Sequence, residues 1–214
     1  MKLYGFWRSS AAYRVRIALA LKGLSYDYVS VHLTQGEQNR PEYGAINPQH
    51  LVPVMEDAGE RLYQSLAIVE YLDEIHPEPR LIPADPVEGA RVRSLALIVA
   101  CEIHPLNNPR VLNYLTGKLG ITDDQRREWY HHWIQVGFTA LEKRLASEPG
   151  TGRFCHGNTP GFADLSLVPQ VANAKRFKVD LTSFPIILRI NDECLQLEAF
   201  QKAAPESQPD ADNG

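Results

Sequence analysis

The chain has 214 residues, a formal net charge of -4 at pH 7 and a hydrophobic fraction of 44%. These are the values of an ordinary globular protein, and they exclude a collagen-like, low-complexity or mostly disordered chain. Acidic residues outnumber basic ones by 26 to 22, so we expect no basic surface for nucleic acid or for an anionic membrane. No apolar stretch reaches the roughly 18 residues that a membrane-spanning helix needs. The composition therefore predicts a folded protein with a small, local ligand.

Cysteine and histidine positions bear on the compartment and on metal binding. Cys101, Cys155 and Cys194 are odd in number and widely spaced. That pattern argues against a disulfide framework or a zinc knuckle and favours a reducing compartment, so the cytoplasm is the expected location. The adjacent His131 and His132 would point about 100° apart on a helix and could not share one metal ion. We predict no metal site.

The first part of the chain alternates strand and helix signals. An apolar run at residues 3–7 meets a polar break, and residues 13–21 then show helical spacing that stops before Gly23, a favourable residue after a helix end. Residues 26–33 alternate apolar and polar side chains, as a half-buried strand does. Together these segments predict a right-handed β-α-β unit.

A hairpin and a helix are predicted next. Residues 51–55 and 61–63 flank a turn at Asp57-Ala58-Gly59 and suit two short antiparallel strands. Ser65 can then cap a helix with apolar residues on one side, and Pro77 ends it. The N-terminal part is therefore predicted to be a complete small α/β domain.

A proline-rich linker marks a change of architecture. Four prolines stand within residues 77–86, and only helical signals follow. We predict an α/β domain at residues 1–80, an all-helical domain at 87–204 and a solvated, flexible tail at 205–214, because the tail has no bulky apolar side chain.

Several helices are predicted beyond the linker. Residues 87–115 have the pattern of one or two long helices. Thr122 and Gln125 form a capping box that opens another. Further helices are expected near residues 162–174 and 184–203.

The loop after the first strand opens a run that reads Arg8-Ser9-Ser10-Ala11-Ala12-Tyr13-Arg14-Val15-Arg16-Ile17-Ala18-Leu19. Other short motifs follow in both halves of the chain: Asn47-Pro48, Leu51-Val52-Pro53, Gln64-Ser65-Leu66-Ala67-Ile68, and residues 103–108, 167–174 and 176–182. Together they resemble the zeta class of soluble glutathione transferases, in register from residue 2 to residue 210. The resemblance implies an α/β plus all-α fold, with a thioredoxin-like βαβ-ββα domain followed by an all-helical domain. It also implies glutathione as the cofactor and a homodimer.

Two positions depart from the family pattern. Ala11 stands where the family usually has cysteine, which removes a nucleophile but not the serines before it. Gly161 stands where the family usually has threonine as a helix cap, and glycine caps acceptably. Neither departure is expected to remove the isomerase activity that the resemblance implies.

The loop before the first helix is the predicted catalytic element. From the residues alone, Ser9 or Ser10 would most simply cap that helix. The resemblance implies instead that Ser9, with Ser10 and Ala11 beside it, contacts the glutathione thiolate where the helix dipole is positive. A hydroxyl hydrogen bond and a dipole together would lower the thiol pKa by about one or two units from its value near 8.5.

Four further residues are predicted to bind glutathione in the α/β domain. A proline at a strand start is usually trans, but the resemblance implies a cis Val52–Pro53 bond that exposes backbone groups to the peptide. Gln64 and Ser65 begin the next helix, where free N–H groups and an amide can hold the γ-glutamyl carboxylate.

The remaining site predictions concern acid-binding and cleft-lining residues. The resemblance implies a diketo-acid substrate whose carboxylates Arg8 and Arg176 are predicted to bind, and Arg176 is also predicted to be catalytic. From the residues alone, Arg176 has the pattern of a solvated basic patch. His104, Asn108 and Arg110 match family positions that contact glutathione, with a buried structural histidine as the alternative for His104.

The resemblance implies a glutathione-dependent cis-trans isomerase that converts maleylacetoacetate to fumarylacetoacetate in tyrosine and phenylalanine breakdown. Maleylpyruvate isomerase, with a similar diketo-acid substrate, is the nearest alternative. A general glutathione transferase comes next. A non-catalytic binding module of the same fold is a further alternative.

Overall fold

A computed structural model describes residues 1–211 of the chain. The chain divides into two compact units. One unit comprises Met1–Leu81 together with Leu195–Gly214, and the other comprises Ile82–Cys194. The division between Leu81 and Ile82 lies inside the predicted proline-rich linker. The C-terminal segment, from Leu195 onward, belongs to the first unit.

A four-stranded sheet forms the centre of the first unit. Its strands are β1 (Lys2–Gly5), β2 (Asp27–Ser30), β3 (Val54–Asp57) and β4 (Glu60–Tyr63). The spatial order is β2-β1-β3-β4, with β1 parallel to β2 and antiparallel to β3, and with β3 antiparallel to β4. Leu3 pairs with Tyr28 on one side and with Met55 on the other. The predicted β-α-β unit and hairpin, and with them the thioredoxin-like fold class, are confirmed.

The helices account for most of the remaining chain. In chain order they are α1 (Ser10–Leu21), α2 (Pro41–Gly44), α3 (Ser65–Ile75), α4 (Pro86–Leu97), α5 (Pro109–Gly117), α6 (Asp123–Ser147), α7 (Asp164–Arg176), α8 (Pro185–Leu195) and α9 (Glu198–Ala203). Within residues 1–211, no helix combines the length and apolar character needed to cross a bilayer.

Helix α1 is the most deeply buried element of the first unit. It packs against both α3 and α9, and the side chains of Val15, Ile17 and Leu19 are fully buried. Burying three aliphatic side chains of this size contributes about 1.5–3 kcal/mol each to folding. The position of Ser9 at the start of α1 is therefore set by a rigid helix.

Helix α6 of the second unit begins as its sequence predicts. The Thr122 hydroxyl accepts a hydrogen bond from the Gln125 N–H at 3.2 Å, and the Gln125 amide oxygen accepts from the Thr122 N–H at 2.9 Å. This reciprocal pair satisfies two N–H groups that lack partners inside the helix. The predicted capping box is confirmed.

Residues 87–115, predicted to form one or two long helices, form two α-helices with an interruption between them. Helix α4 passes into a π-helical segment, Ile98–Ile103, and the chain then turns before α5. Pro105 and Pro109 have no N–H to continue the helical ladder, which explains the interruption. His104 consequently lies directly after the π-helical segment and before α5.

The C-terminal segment is not a solvated tail through residue 211. Pro205–Ser207 forms a 3₁₀ turn, and the buried Gln208 amide donates to the carbonyls of Lys202 and Ala204 at 3.0 and 2.8 Å. This segment has no bulky apolar groups, and it is held because a buried polar side chain bonds two backbone carbonyls. Residues 212–214 of the predicted tail lie outside the described part of the chain.

Candidate functional site

Ser9 caps helix α1 and stays partly exposed. Its backbone is extended, with φ -70° and ψ 116°, and its hydroxyl accepts a hydrogen bond from the Ala12 N–H at 3.2 Å. Ser10, the first residue of α1, is buried, with 6% of its surface exposed. A hydroxyl is one donor and two acceptors, so Ser9 can cap the helix and still donate its proton to a ligand. The capping role and the predicted thiolate contact are therefore compatible.

Arg14 joins the N-termini of two helices in the first unit. Its side chain is buried, and its Nη1 donates to the Ser65 hydroxyl across 3.2 Å. Arg14 lies one turn into α1, and Ser65 begins α3. Each helix start carries unpaired N–H groups and about half a positive charge. Helix starts of this kind are places where anions bind in proteins.

Gln64 precedes α3 in a conformation that non-glycine residues rarely adopt. Its φ is 67° and its ψ is 117°, and a residue held in such a region costs about 1–3 kcal/mol. Its amide nitrogen donates to the Gln49 side-chain oxygen at 2.9 Å, and its carbonyl accepts from the Ile68 N–H at 3.0 Å. Strain of this kind is typical of binding sites, and here it lies next to the free end of a helix.

The Val52–Pro53 peptide bond is cis, as the resemblance implies. Two side chains hold the residue before it, since the Tyr43 hydroxyl and the Asn47 amide both donate to the Leu51 carbonyl at 2.7 Å. The loop before β3 is thereby anchored. An extended peptide can pair with backbone groups in such a loop, as an added strand does.

Arg8 lies in the β1–α1 loop with its guanidinium against aromatic rings. The guanidinium carbon is 4.9 Å from the centre of the Trp7 ring and 5.7 Å from that of Phe6. Stacking of this kind orients a guanidinium and leaves its N–H edge for a carboxylate. The structure thus brings Arg8 and Ser9 together in one loop of the first unit.

Three predicted residues of the second unit lie together at the start of α5. His104 follows the π-helical segment, and its backbone N–H donates to the Val99 carbonyl at 2.9 Å. Asn108 caps α5, because its side chain accepts from the Arg110 N–H at 2.9 Å, and Arg110 itself is exposed. His104 therefore lies in the turn before α5, and Asn108 and Arg110 lie at the start of that helix.

Arg176 is the last residue of α7 and is exposed. Its guanidinium lies 4.8 Å from the centre of the Phe177 ring, which stacks on Tyr130 with a centroid distance of 3.9 Å. Burial raises the pKa of Tyr130, and the Arg176 charge offsets part of that rise. The Asn107 amide donates to the Tyr130 carbonyl at 3.1 Å, so packed aromatic groups link Arg176 to the 104–110 segment within the second unit.

Arg14 was missed as a candidate by reasoning from the sequence. It stands in the Arg8–Leu19 run that carries the resemblance, but helical periodicity alone gave no reason to expect a buried arginine. The available signal was a charged residue at a position on the apolar side of α1. Such a charge requires a partner when it is buried.

Comparison with known proteins agrees with this arrangement. Residues 1–74 match the family model described as the glutathione S-transferase N-terminal domain. A probable maleylacetoacetate isomerase of Vibrio cholerae is 51% identical over 211 residues, which is 98% of this chain and 97% of that protein.

Two solved structures are similar over almost the whole chain. One is the holo structure of a maleyl pyruvate isomerase, a bacterial glutathione S-transferase of the zeta class. It has a TM-score of 0.96 and 48% identity, covering 99% of this chain and all of that one. The other is a maleylacetoacetate isomerase of Methylobacterium extorquens AM1 with bound malonate and glutathione. It has a TM-score of 0.96 and 43% identity, covering 99% of each chain.

Proposed function

Since this chain belongs to the zeta class of the glutathione transferases, we propose that it is a glutathione-dependent cis-trans isomerase that converts maleylacetoacetate to fumarylacetoacetate. The observation that carries the proposal is the pair of joined helix starts in the first unit. There the starts of α1 and α3 are joined by the Arg14–Ser65 hydrogen bond, and the Ser9 hydroxyl stands at the first of them.

The residues of the first unit fit an acidic tripeptide with a thiol. Val52, beside the cis bond, offers its backbone groups to a peptide, while Gln64 and Ser65 offer an amide and free N–H groups to a carboxylate. Glutathione, when bound, supplies the sulfur that adds reversibly to the cis double bond, so that rotation about a single bond and release of the sulfur give the trans product. It is regenerated in each turnover.

Ser9 and the start of α1 keep that thiol ionised. The serine hydroxyl donates a hydrogen bond, and the helix dipole favours negative charge at the same place. Each unit by which the thiol pKa falls corresponds to about 1.4 kcal/mol of preferential thiolate stabilisation. Ser9 is proposed for this contact over Ser10 because Ser10 is buried, and Ala11 contributes its backbone N–H.

Arginines recognise the substrate acid groups in this proposal. Arg8, stacked on aromatic rings in the same loop as Ser9, binds a carboxylate and the negative charge that develops on the adjacent carbonyl oxygen. Arg176 is proposed as a second carboxylate ligand on the strength of the family resemblance. His104, Asn108 and Arg110 remain predictions of glutathione contacts on the same ground.

Maleylpyruvate isomerase is the second candidate function. The maleylpyruvate isomerase structure, at 48% identity and a TM-score of 0.96, is as similar to this chain in fold as the maleylacetoacetate isomerase structure, at 43% identity and the same TM-score. Both substrates are cis diketo acids that the same residues could bind. We also propose a homodimer in the cytoplasm, and the mass of the purified protein in solution tests the dimer.

The deciding experiment offers the protein each cis acid separately, with and without glutathione, and follows the loss of the cis chromophore. We expect isomerisation only with glutathione, and a higher kcat/KM for maleylacetoacetate. A higher value for maleylpyruvate would select the second candidate. A protein that isomerises neither acid but is retained on immobilised glutathione would favour a general transferase. A protein that isomerises neither acid and passes through that resin would favour a non-catalytic binding module.

A further inference from the structure

The C-terminal segment holds the catalytic loop through a single carboxylate oxygen. Oδ2 of Asp210 accepts hydrogen bonds from the Ser30 hydroxyl at 2.8 Å, the Trp7 backbone N–H at 3.1 Å and the Tyr28 hydroxyl at 3.2 Å. The three donors stand 180 or more positions earlier in the sequence. One of them belongs to the loop that carries Arg8 and Ser9.

Arg16 also holds that loop, through the backbone carbonyl of Trp7. Its Nη2 donates to the Trp7 carbonyl at 3.0 Å, and its Nε donates to the Ala203 carbonyl, at the end of α9, at 2.9 Å. The Arg16 side chain is buried, with 1% of the residue exposed. Both backbone groups of Trp7 are therefore bound by charged side chains that contact or belong to the C-terminal segment.

The residues that hold Trp7 are also connected to Ser9 by hydrogen bonds. The Phe6 carbonyl accepts the Ser9 N–H at 2.9 Å and lies 3.4 Å from Nη1 of Arg16. Residues 6–9 thus form a short turn whose centre, Trp7, is held at its N–H and its carbonyl. Movement of Trp7 would move the turn and change the direction of the Ser9 hydroxyl.

We propose that Asp210 is a positioning residue for the isomerisation, acting through Trp7 to aim the Ser9 hydroxyl at the bound thiol. The inference rests on the proposed function and extends it to a segment remote in sequence. Burial, and to a smaller extent the Asp210 charge, raises the pKa of Tyr28. The phenol therefore stays protonated and donates to the carboxylate. A displacement of about 1 Å in a catalytic group can lower the rate about 100-fold, so a small shift of the turn matters.

The test compares Asp210→Ala with Ser30→Ala in the full-length protein. Both changes remove a bond between the C-terminal segment and the sheet, but only the first frees the Trp7 N–H. The pH midpoint for ionisation of bound glutathione is followed by thiolate absorbance in the ultraviolet, without any diketo acid. We expect Asp210→Ala to raise this midpoint by about one unit and to lower kcat about tenfold, and Ser30→Ala to change neither.

Asp210→Asn keeps an acceptor oxygen and is expected to recover part of the kcat that Asp210→Ala loses. It is also the variant to measure if Asp210→Ala does not fold. Equal ionisation midpoints in wild type, Asp210→Ala and Ser30→Ala, with lowered thermal stability only, would overturn the inference. Where Asp210→Ala does not fold, a midpoint and a kcat of Asp210→Asn that both equal those of wild type would overturn it. Absence of bound thiolate in the wild type would instead overturn the proposed function. The two failures are thus distinguishable.

Discussion

The ammonium group of Lys22 lies 2.8 Å from the carboxylate of Asp73, and the lysine side chain is fully buried. The same nitrogen donates to the carbonyls of His76 and Pro79, and Asp73 also accepts the Leu81 N–H at 2.7 Å. This pair ties the end of α1 to the chain that leaves α3. It is a buried ion pair with its hydrogen bonds satisfied on both sides.

Lys22→Met is expected to lower the free energy of unfolding by about 3–5 kcal/mol, because it leaves the buried Asp73 carboxylate without its counter-charge. Lys2→Met is the control, since Lys2 and Glu56 form a partly exposed pair at 3.5 Å that contributes little. Denaturant unfolding of the two variants measures the difference. Equal midpoints would contradict this account of the Lys22–Asp73 pair.

Ser9→Ala is expected to lower isomerase turnover about tenfold or more, because the donor that we propose for the reacting sulfur is lost. It also removes a helix cap worth about 1 kcal/mol, whereas Ser9→Gly removes the hydroxyl at a stability cost of only about a few tenths of a kcal/mol. Both variants should therefore lose activity to a similar degree. Unchanged turnover in both would transfer the role to Ser10 or to backbone donors, and Ser10→Ala would then be the variant to measure.

Arg176→Ala is expected to raise KM for the diketo acid roughly tenfold, and KM for glutathione much less, because the charge-assisted hydrogen bond that we propose to the substrate is lost. Lys175→Ala, which removes a neighbouring exposed charge, is the matched control. Steady-state kinetics with each substrate varied in turn measure the effect. A similar rise in both KM values would remove Arg176 from the substrate site.

Gly137→Ala is expected to destabilise the second unit by about 1–3 kcal/mol through overpacking. A methyl group at this position of α6 would lie 2.3 Å from the Cδ1 and Cγ1 atoms of Ile103, the last residue of the π-helical segment. The control is Gly117→Ala in α5, where a methyl group meets nothing within 4 Å. Combining Gly137→Ala with Ile103→Ala should cost less than the sum of the two single changes, and a simple sum would argue against direct contact.

Native protein is expected to expose one reactive thiol. Cys101 is exposed, whereas Cys155 and Cys194 are buried. Burial, with the nearby Asp164 carboxylate, raises the pKa of both buried thiols, so neither forms the reactive thiolate at neutral pH. A chromogenic disulfide reagent should count one thiol in the folded protein and three in denaturant. Fast reaction of all three before unfolding would contradict this burial.

The elements that sequence alone predicted are those decided by neighbouring residues. The alternation at residues 26–33, the Ser9 cap and the Thr122–Gln125 capping box all depend on groups within four positions of one another. The cis Val52–Pro53 bond was predicted only through the family resemblance, because local chemistry favours trans. The likeness to a family therefore supplied what short-range preferences could not.

Tertiary structure alone decided the contacts on which the site depends. The Arg14–Ser65 bond joins residues 51 positions apart, and the Asp210–Trp7 bond joins residues 203 positions apart. The spacing of apolar residues along the sequence does not predict such pairs, since each forms only after the chain has reversed direction and buried the groups involved. The same reason explains the wrong prediction of a solvated tail: residues 205–211 lack the apolar side chains that mark burial in a sequence, and it is their polar partners in the folded unit that hold them.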